Sequence, residues 1–168
     1  LSNDITGVQV WAAAITILLA SLVAMTKDNL KARLAYSTVS QLSYIAMGAM
    51  MASKSAAVGA ALHIAMHAFS KITLFFAAGA IFVVTHKKLV SELDGLGRAM
   101  PITFGAFLIG SLSIIGLPPF GGIWSKWYLA SGAVETGQVL LLGVLMLSTL
   151  LNIIYLLPIP IRAFFAKP

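Results

Sequence analysis

The sequence predicts an all-α membrane protein of about five transmembrane helices, one of them broken in the middle. Three observations carry that prediction. Of the 168 residues, 60% are hydrophobic and only 10% charged; the mean hydropathy of +0.97 lies far above that of water-soluble domains. Apolar runs of about 20 residues, enough for a helix to cross the hydrocarbon, recur along the whole chain. The remaining charges alternate between the two ends of those runs.

The first run, 5–26, carries no charge. The second, 34–52, is also uncharged but rich in hydroxyls. The third, 57–85, is longer than a bilayer requires and is expected to tilt, bend near Gly79, or protrude. The fourth, 101–130, is interrupted at 116–122, where Gly116, Pro118, Pro119, Gly121 and Gly122 should unwind the helix. The fifth, 138–157, is uncharged and reads as stopped by Pro158 and Pro160. Together they make a single transmembrane domain over 1–168 and leave no soluble one. With Leu1 rather than Met first, the chain is expected to be part of a longer one, and no signal peptide is expected before the first run.

Charge placement gives the topology. Lys27, Lys31, Arg33, Lys87, Lys88, Arg98, Arg162 and Lys167 fall on one side, which is eight of the eleven Lys and Arg. Only Lys54 falls on the other, with Asp4 and Glu135. The positive-inside bias then predicts a multi-pass protein of the cell inner (plasma) membrane, N-terminus outside and C-terminus cytoplasmic. The net charge of +6 is spread over thin loops and not gathered beside aromatic platforms, which excludes nucleic acid as a partner. The chain contains no cysteine, so it has no disulfide, thiolate metal site or iron–sulfur ligand set of its own. No cofactor is expected, and any redox chemistry belongs to partners.

Two basic residues remain inside the bilayer, Lys71 and Lys126. An ammonium there is costly and is usually found facing a bundle interior or a wet cavity. Lys71 has fourteen residues of its run on either side, too far for its side chain to snorkel to the headgroups. Lys126 lies closer to the outer end of its run, so snorkelling stays open there. His63, His67 and Lys71 recur at i, i+4 and i+8 and share one helix face. Imidazole can take up a proton on one nitrogen while releasing one from the other, and a desolvated lysine is a charge that can be switched off, so the row suits proton relay. The alternative for the histidines is packing with neutral rings. Zinc and haem are weaker readings, because the runs hold no acid or cysteine and two neighbours on one helix cannot flank a haem; no metal is expected.

In the second run Ser37, Gln41 and Tyr44 recur at helical spacing, with Ser40 among them and Ser70 beside Lys71. They can line a water path or make helix–helix hydrogen bonds. The break at 116–122 frees carbonyls and amides, tolerated at membrane depth only against protein or water. Lys126 follows one turn later. Met47, Met50, Met51 and Met66 read as packing.

Taken together, Lys31-Ala-Arg-Leu-Ala-Tyr-Ser-Thr-Val-Ser-Gln-Leu, His63-Ile-Ala-Met-His-Ala-Phe-Ser-Lys71 and Gly116-Leu-Pro-Pro-Phe-Gly-Gly-Ile-Trp-Ser-Lys126 resemble the antiporter-like proton-channel family. Its members are large membrane subunits of respiratory complex I, of energy-converting hydrogenases and of Mrp-type sodium/proton antiporters, especially the D-type component of the last. The resemblance covers nearly all of this chain but only the C-terminal part of a member, most of the second of two inverted repeats. It implies that Lys71 matches the central channel lysine, His67 and His63 the histidines beside it, and Lys126 the ionisable group of the broken helix near the exit. The lysine and glutamate pair of the first repeat is not in this sequence. Ser70 stands where an aromatic is frequent, and Trp127 follows Lys126 where complex I members often place an acid; the second departure favours the Mrp-like branch. The resemblance implies proton translocation within a multisubunit cation/proton antiporter, with other membrane subunits as partners and sodium as a candidate coupled ion. The alternative it implies is a proton-pumping subunit with quinone-linked or hydrogenase partners.

Overall fold

The computed structural model describes residues 3–168, with side chains from Gly7 onward. Leu1 and the Asp4 side chain therefore lie outside the described residues. Within them the chain forms α1 (Asn3–Thr26), α2 (Leu30–Met50), α3 (Lys54–Thr85), α4 (Pro101–Ile115), α5 (Gly122–Glu135), α6 (Val139–Leu156) and α7 (Pro158–Phe165). There is no strand among the described residues.

The helix boundaries follow from local chemistry. Asn29 caps α2 by accepting from the Ala32 amide at 3.1 Å, and Ser53 caps α3 by accepting from Ala56 at 3.4 Å; each satisfies a donor that lacks an intrahelical partner. α3 runs unbroken through Gly79 for 32 residues, about 48 Å of helix. α4 and α5, of 15 and 14 residues, are only about 22 and 21 Å long. Neither alone crosses roughly 30 Å of hydrocarbon, so the two form one broken span, as 116–122 predicts. Mean hydropathies of 2.1, 1.8 and 2.4 mark 7–26, α3 and Val139–Phe165 as long and apolar enough to cross a membrane. α2 falls outside that group because Lys31, Arg33, Ser37, Ser40, Gln41 and Ser43 interrupt it.

Two expectations need correction. Pro158 and Pro160 do not stop the helical course: Leu157 keeps helical dihedrals of −63° and −36°, and α7 begins at Pro158. Proline is tolerated there because amides of a first turn have no intrahelical acceptor to lose. The fourth span does not end at 130 either. α5 continues to Glu135, which leaves Lys126 nine residues, about 14 Å of helix, from its end.

The loops meet at two opposite ends. At one, the Leu30 amide donates to Lys88 O at 2.9 Å, Ser91 Oγ donates to Asp28 at 2.8 Å, and Arg162 pairs with Asp94 at 2.7 Å. Arg33 joins the same end by donating to Lys27 O at 2.8 Å and Tyr155 O at 3.0 Å. At the other end Ser53 and Ser55 donate to the Glu135 carboxylate at 2.5 and 2.6 Å, and these bonds hold its carboxyl below the ordinary carboxylate range. The eight basic residues that the sequence assigns to one side thus belong to one end of the bundle, and Lys54 to the other.

Two apolar clusters fill the interior. One, towards the basic end, gathers Leu34, Leu74, Ile81, Phe104, Phe107 and Leu156. The other gathers Ile17, Met47, Ala56, Leu129 and Leu141. Between them every long helix turns polar side chains inward, among them Ser21, Ser37, Gln41, His63, Lys71, Ser111, Ser125, Ser148 and Asn152. Small residues let α3 and α5 approach: a Cβ on Gly59 would lie 2.8 Å from the Leu129 nitrogen, and one on Gly132 2.8 Å from the Ala56 nitrogen. Gly132→Val should therefore cost about 1–3 kcal/mol by overpacking. Gly79, with nothing within 4 Å of such a Cβ, should accept alanine with a gain of about 0.5–1 kcal/mol. Thermal denaturation midpoints of the intact protein in mild detergent check both.

Candidate functional site: a buried lysine and histidine row

α3 carries the row because residues four apart on a helix stack on one face. His63 and His67 lie parallel, with ring centroids 6.0 Å apart. Lys71 follows one turn later, only 6% exposed. Its Nζ donates to Ser37 Oγ at 2.8 Å and to Leu34 O at 3.3 Å, both on α2. Tyr155 of α6 lies 3.1 Å from the same Ser37 oxygen and donates its hydroxyl to Asn152 Oδ1 at 2.5 Å. Ser37 accepts from Lys71, and the single Tyr155 proton has two acceptors in reach, Asn152 Oδ1 and Ser37 Oγ.

His63 sits between two helices. Its Nε2 is 3.0 Å from Gln41 Oε1 and its Nδ1 is 2.9 Å from Ser125 Oγ. An amide oxygen only accepts, so Nε2 carries the proton and Nδ1 is the basic nitrogen. Ser125 Oγ is also 3.0 Å from Gly122 O. It can donate to Nδ1 when the ring is neutral, or to Gly122 O while accepting from Nδ1–H when the ring is charged. His63 is satisfied in both protonation states.

Beyond His63 lies Tyr44, its ring 5.4 Å from the imidazole, and over the same ring stands Lys126 Nζ at 5.4 Å. Lys126 points inward, donating to Ile115 O at 3.1 Å and to Thr149 Oγ1 at 3.2 Å. Ile115 is the last residue of α4, and its carbonyl has lost its helical donor to the break. Gly116 makes that turn at a φ of +88°, which favours glycine. At Gly122 a Cβ would collide with Ser113 O, so only glycine lets α5 restart against α4. Gly121 faces the flexible end of the Met66 side chain, which could move aside for a larger residue, and Pro118 and Pro119 lie in the loop between. Lys126 also borders an open cavity of about 230 Å³ between α5 and α6.

Of the residues singled out from sequence, Lys71, His63, Ser37, Gln41, Tyr44 and Lys126 come together through these contacts. His67 adjoins a cavity of about 10 Å³ lined also by Gln41, Met66, Ser70, Ser113 and Gly122. His67 Nδ1 and Gln41 Nε2 have no hydrogen-bond partner among the described residues, and the cavity has about the size of one water. Ser70 donates to Ser113 at 2.8 Å. Ser40 faces away from the row: it bonds Ser21 Oγ at 2.8 Å and Ile17 O at 3.1 Å on α1, which is the helix–helix role rather than the water-path one. Met47 packs in the apolar core. No group of three His, Cys, Asp or Glu able to hold a metal exists among the described residues.

Sequence reasoning missed Ser125, Thr149, Asn152 and Tyr155. A signal was present in α6, where Ser148, Asn152 and Tyr155 interrupt an otherwise apolar run at i, i+4 and i+7. Ser125, next to Lys126, gave none.

A broken-helix bundle that turns two lysines and two histidines inward, with no carboxylate beside them among the described residues, is a membrane-type helical bundle organised around ionisable groups. The chain belongs to the NADH:quinone oxidoreductase/Mrp antiporter transmembrane family, which matches residues 1–152. It is 43% identical over 145 residues to NADH-quinone oxidoreductase subunit N of Desulforudis audaxviator, covering 86% of this chain and 29% of that protein. It is 34% identical over 154 residues to NADH-quinone oxidoreductase subunit L of Rickettsia bellii, covering 91% of this chain and 23% of that one. Among solved structures, the Mrp complex from Dietzia sp. DQ12-45-1b superposes with a TM-score of 0.92 at 28% identity, over 97% of this chain and 30% of the other. A chain of the membrane-bound sulfane sulfur reductase, an archaeal respiratory membrane complex, shares the fold with a TM-score of 0.91 at 24% identity, over 96% of this chain and 33% of that one. The chain thus spans about a third or less of the length of each protein it matches.

Ser37→Ala should leave Lys71 with Leu34 O alone and cost about 1–3 kcal/mol, whereas Ser37→Thr, which keeps the hydroxyl, should lose much less. Thermal unfolding of the intact protein in detergent distinguishes them.

Proposed function

We propose that this chain conducts protons across the membrane within a multisubunit complex. The carrying observation is the buried succession Lys126, Tyr44, His63, His67, Lys71, Ser37 and Tyr155, whose neighbours are joined by hydrogen bonds, ring contacts or adjacent turns of α3. Lys71 and Lys126 act as switchable charges at the two ends of the histidine pair. His63 passes protons because Ser125 and Gln41 satisfy it in either state. A water between His67 and Gln41 would join the two halves, and the cavity there matches its size. Tyr44 separates Lys126 from His63 with an aromatic face, so that step also needs a water or a movement of the lysine. Ser70 on α3 and Ser37 and Gln41 on α2 line the path. The basic end, with Lys27, Lys31, Lys87 and Lys88, is proposed to be cytoplasmic in the plasma membrane, which leaves the N-terminus outside.

Two couplings are open to such a segment. Lys126 followed by Trp127 supports a role like that of the D-type Mrp component, with sodium as the counter-ion. The 43% identity with a subunit N of NADH-quinone oxidoreductase supports a redox-driven pump. The visible spectrum of the complex purified with this chain separates them: flavin and iron–sulfur absorption mark the redox complex, and a colourless complex with sodium-dependent proton flux marks the antiporter.

Lys71→Arg tests the relay. Guanidinium keeps its positive charge but does not release its proton, so assembly should persist while proton flux into proteoliposomes, read by a pH-sensitive dye, is lost. Flux at the wild-type rate in that variant removes Lys71 from the path. Ser125→Ala should slow flux, and Ser125→Thr should largely restore it.

A further inference from the structure

The basic end holds a cavity that the proton path does not use. It measures about 290 Å³ and lies between the start of α2 and the end of α3, lined by Asn29, Leu30, Lys31, Ala78, Phe82, Lys87 and Lys88. Its charged lining is wholly basic. The Lys31 and Lys88 ammonium groups converge on a single ring, 5.3 and 5.2 Å from the Phe82 centroid. Cations gathered this way repel one another unless an anion joins them.

The nearby carboxylates are otherwise engaged. Glu92 accepts from the Lys88 and Leu89 backbone amides at 3.3 Å, Asp28 accepts from Ser91, and Asp94 pairs with Arg162. No carboxylate lies within ion-pair distance of Lys31, Lys87 or Lys88 among the described residues. The remaining lining is apolar: Leu30, Ala78 and the Phe82 ring. The site therefore offers cations above and hydrocarbon below, at the level where lysines meet the headgroups.

We propose that this cavity binds the phosphate headgroup of an anionic phospholipid from the leaflet at the basic end, with Lys31 and Lys88 as its principal ligands and Lys87 at the rim. Charge complementarity selects an anion. The apolar wall selects a lipid over a free phosphate ion, which has no use for Phe82 or Ala78. The site depends on the membrane fold alone and not on the proton path.

The test uses the intact complex that carries this chain, incubated in mild detergent with phosphatidylglycerol or phosphatidylcholine, washed, and analysed for bound lipid by native mass spectrometry. The wild type should retain phosphatidylglycerol about tenfold or more over phosphatidylcholine. Lys31→Gln with Lys88→Gln should lose one such lipid per copy, and Lys31→Arg with Lys88→Arg should keep it. Both pairs lie on exposed positions and should assemble normally, as the mass of the complex reports. Retention of the same anionic lipid count by the glutamine pair overturns the proposal. So does displacement of the lipid by millimolar inorganic phosphate, which would mark a site for the free ion.

Discussion

The fold depends on one constraint, that polar groups at mid-membrane depth must find partners inside the protein. Hydrocarbon offers none, and an unpartnered donor or acceptor there costs several kcal/mol. This bundle gathers its polar groups in a single layer and pairs most of them there, leaving Gln41 Nε2, Tyr44 Oη, His67 Nδ1, Ser111 Oγ and Asn152 Nδ2 without a partner among the described residues. α1 contributes Ser21, α2 Ser37 and Gln41, α3 the histidines and Lys71, α5 Ser125, and α6 Ser148 and Asn152. The apolar clusters on either side exclude lipid from that layer. Helix register is then fixed more by matching polar partners than by apolar packing, which is much less directional.

The broken helix serves the same layer. An uninterrupted helix would satisfy Ile115 O internally and leave Lys126 with the Thr149 hydroxyl as its one acceptor. The break frees that carbonyl, Gly116 turns the chain, and Gly122 restarts it in contact with Ser113. The proline and glycine cluster is therefore what lets a lysine reside at that depth with a second hydrogen bond and no counter-ion. Both intramembrane lysines follow this pattern, with one backbone carbonyl and one hydroxyl each.

Much of this was legible in the sequence, for identifiable reasons. Helices long enough to cross a bilayer leave hydropathy runs that need no tertiary knowledge, and Pro118 and Pro119 beside three glycines can hardly continue a helix. His63, His67 and Lys71 could be placed on one face because they share one helix. Residues that meet only through tertiary packing could not be paired. Nothing in the spacing of Ser125 says that it reaches His63, and nothing in α2 says that Ser37 turns towards Lys71 while Ser40, three residues on, turns towards α1. Pro158 misled for a related reason: proline ends a helix or begins one, and only Leu157's dihedrals decide which.

The Ser125 hydroxyl, with His63 Nδ1 and Gly122 O as alternative acceptors, has a kinetic consequence. Changing the charge on His63 asks only that one O–H bond rotate about its C–O axis, with no heavy atom displaced. Such a rotation involves no helix or domain rearrangement, which is the motion of the microsecond-to-millisecond scale. His63 can therefore change charge with its ring and both partners in place, whereas either lysine must break a hydrogen bond to a carbonyl and one to a hydroxyl before it moves.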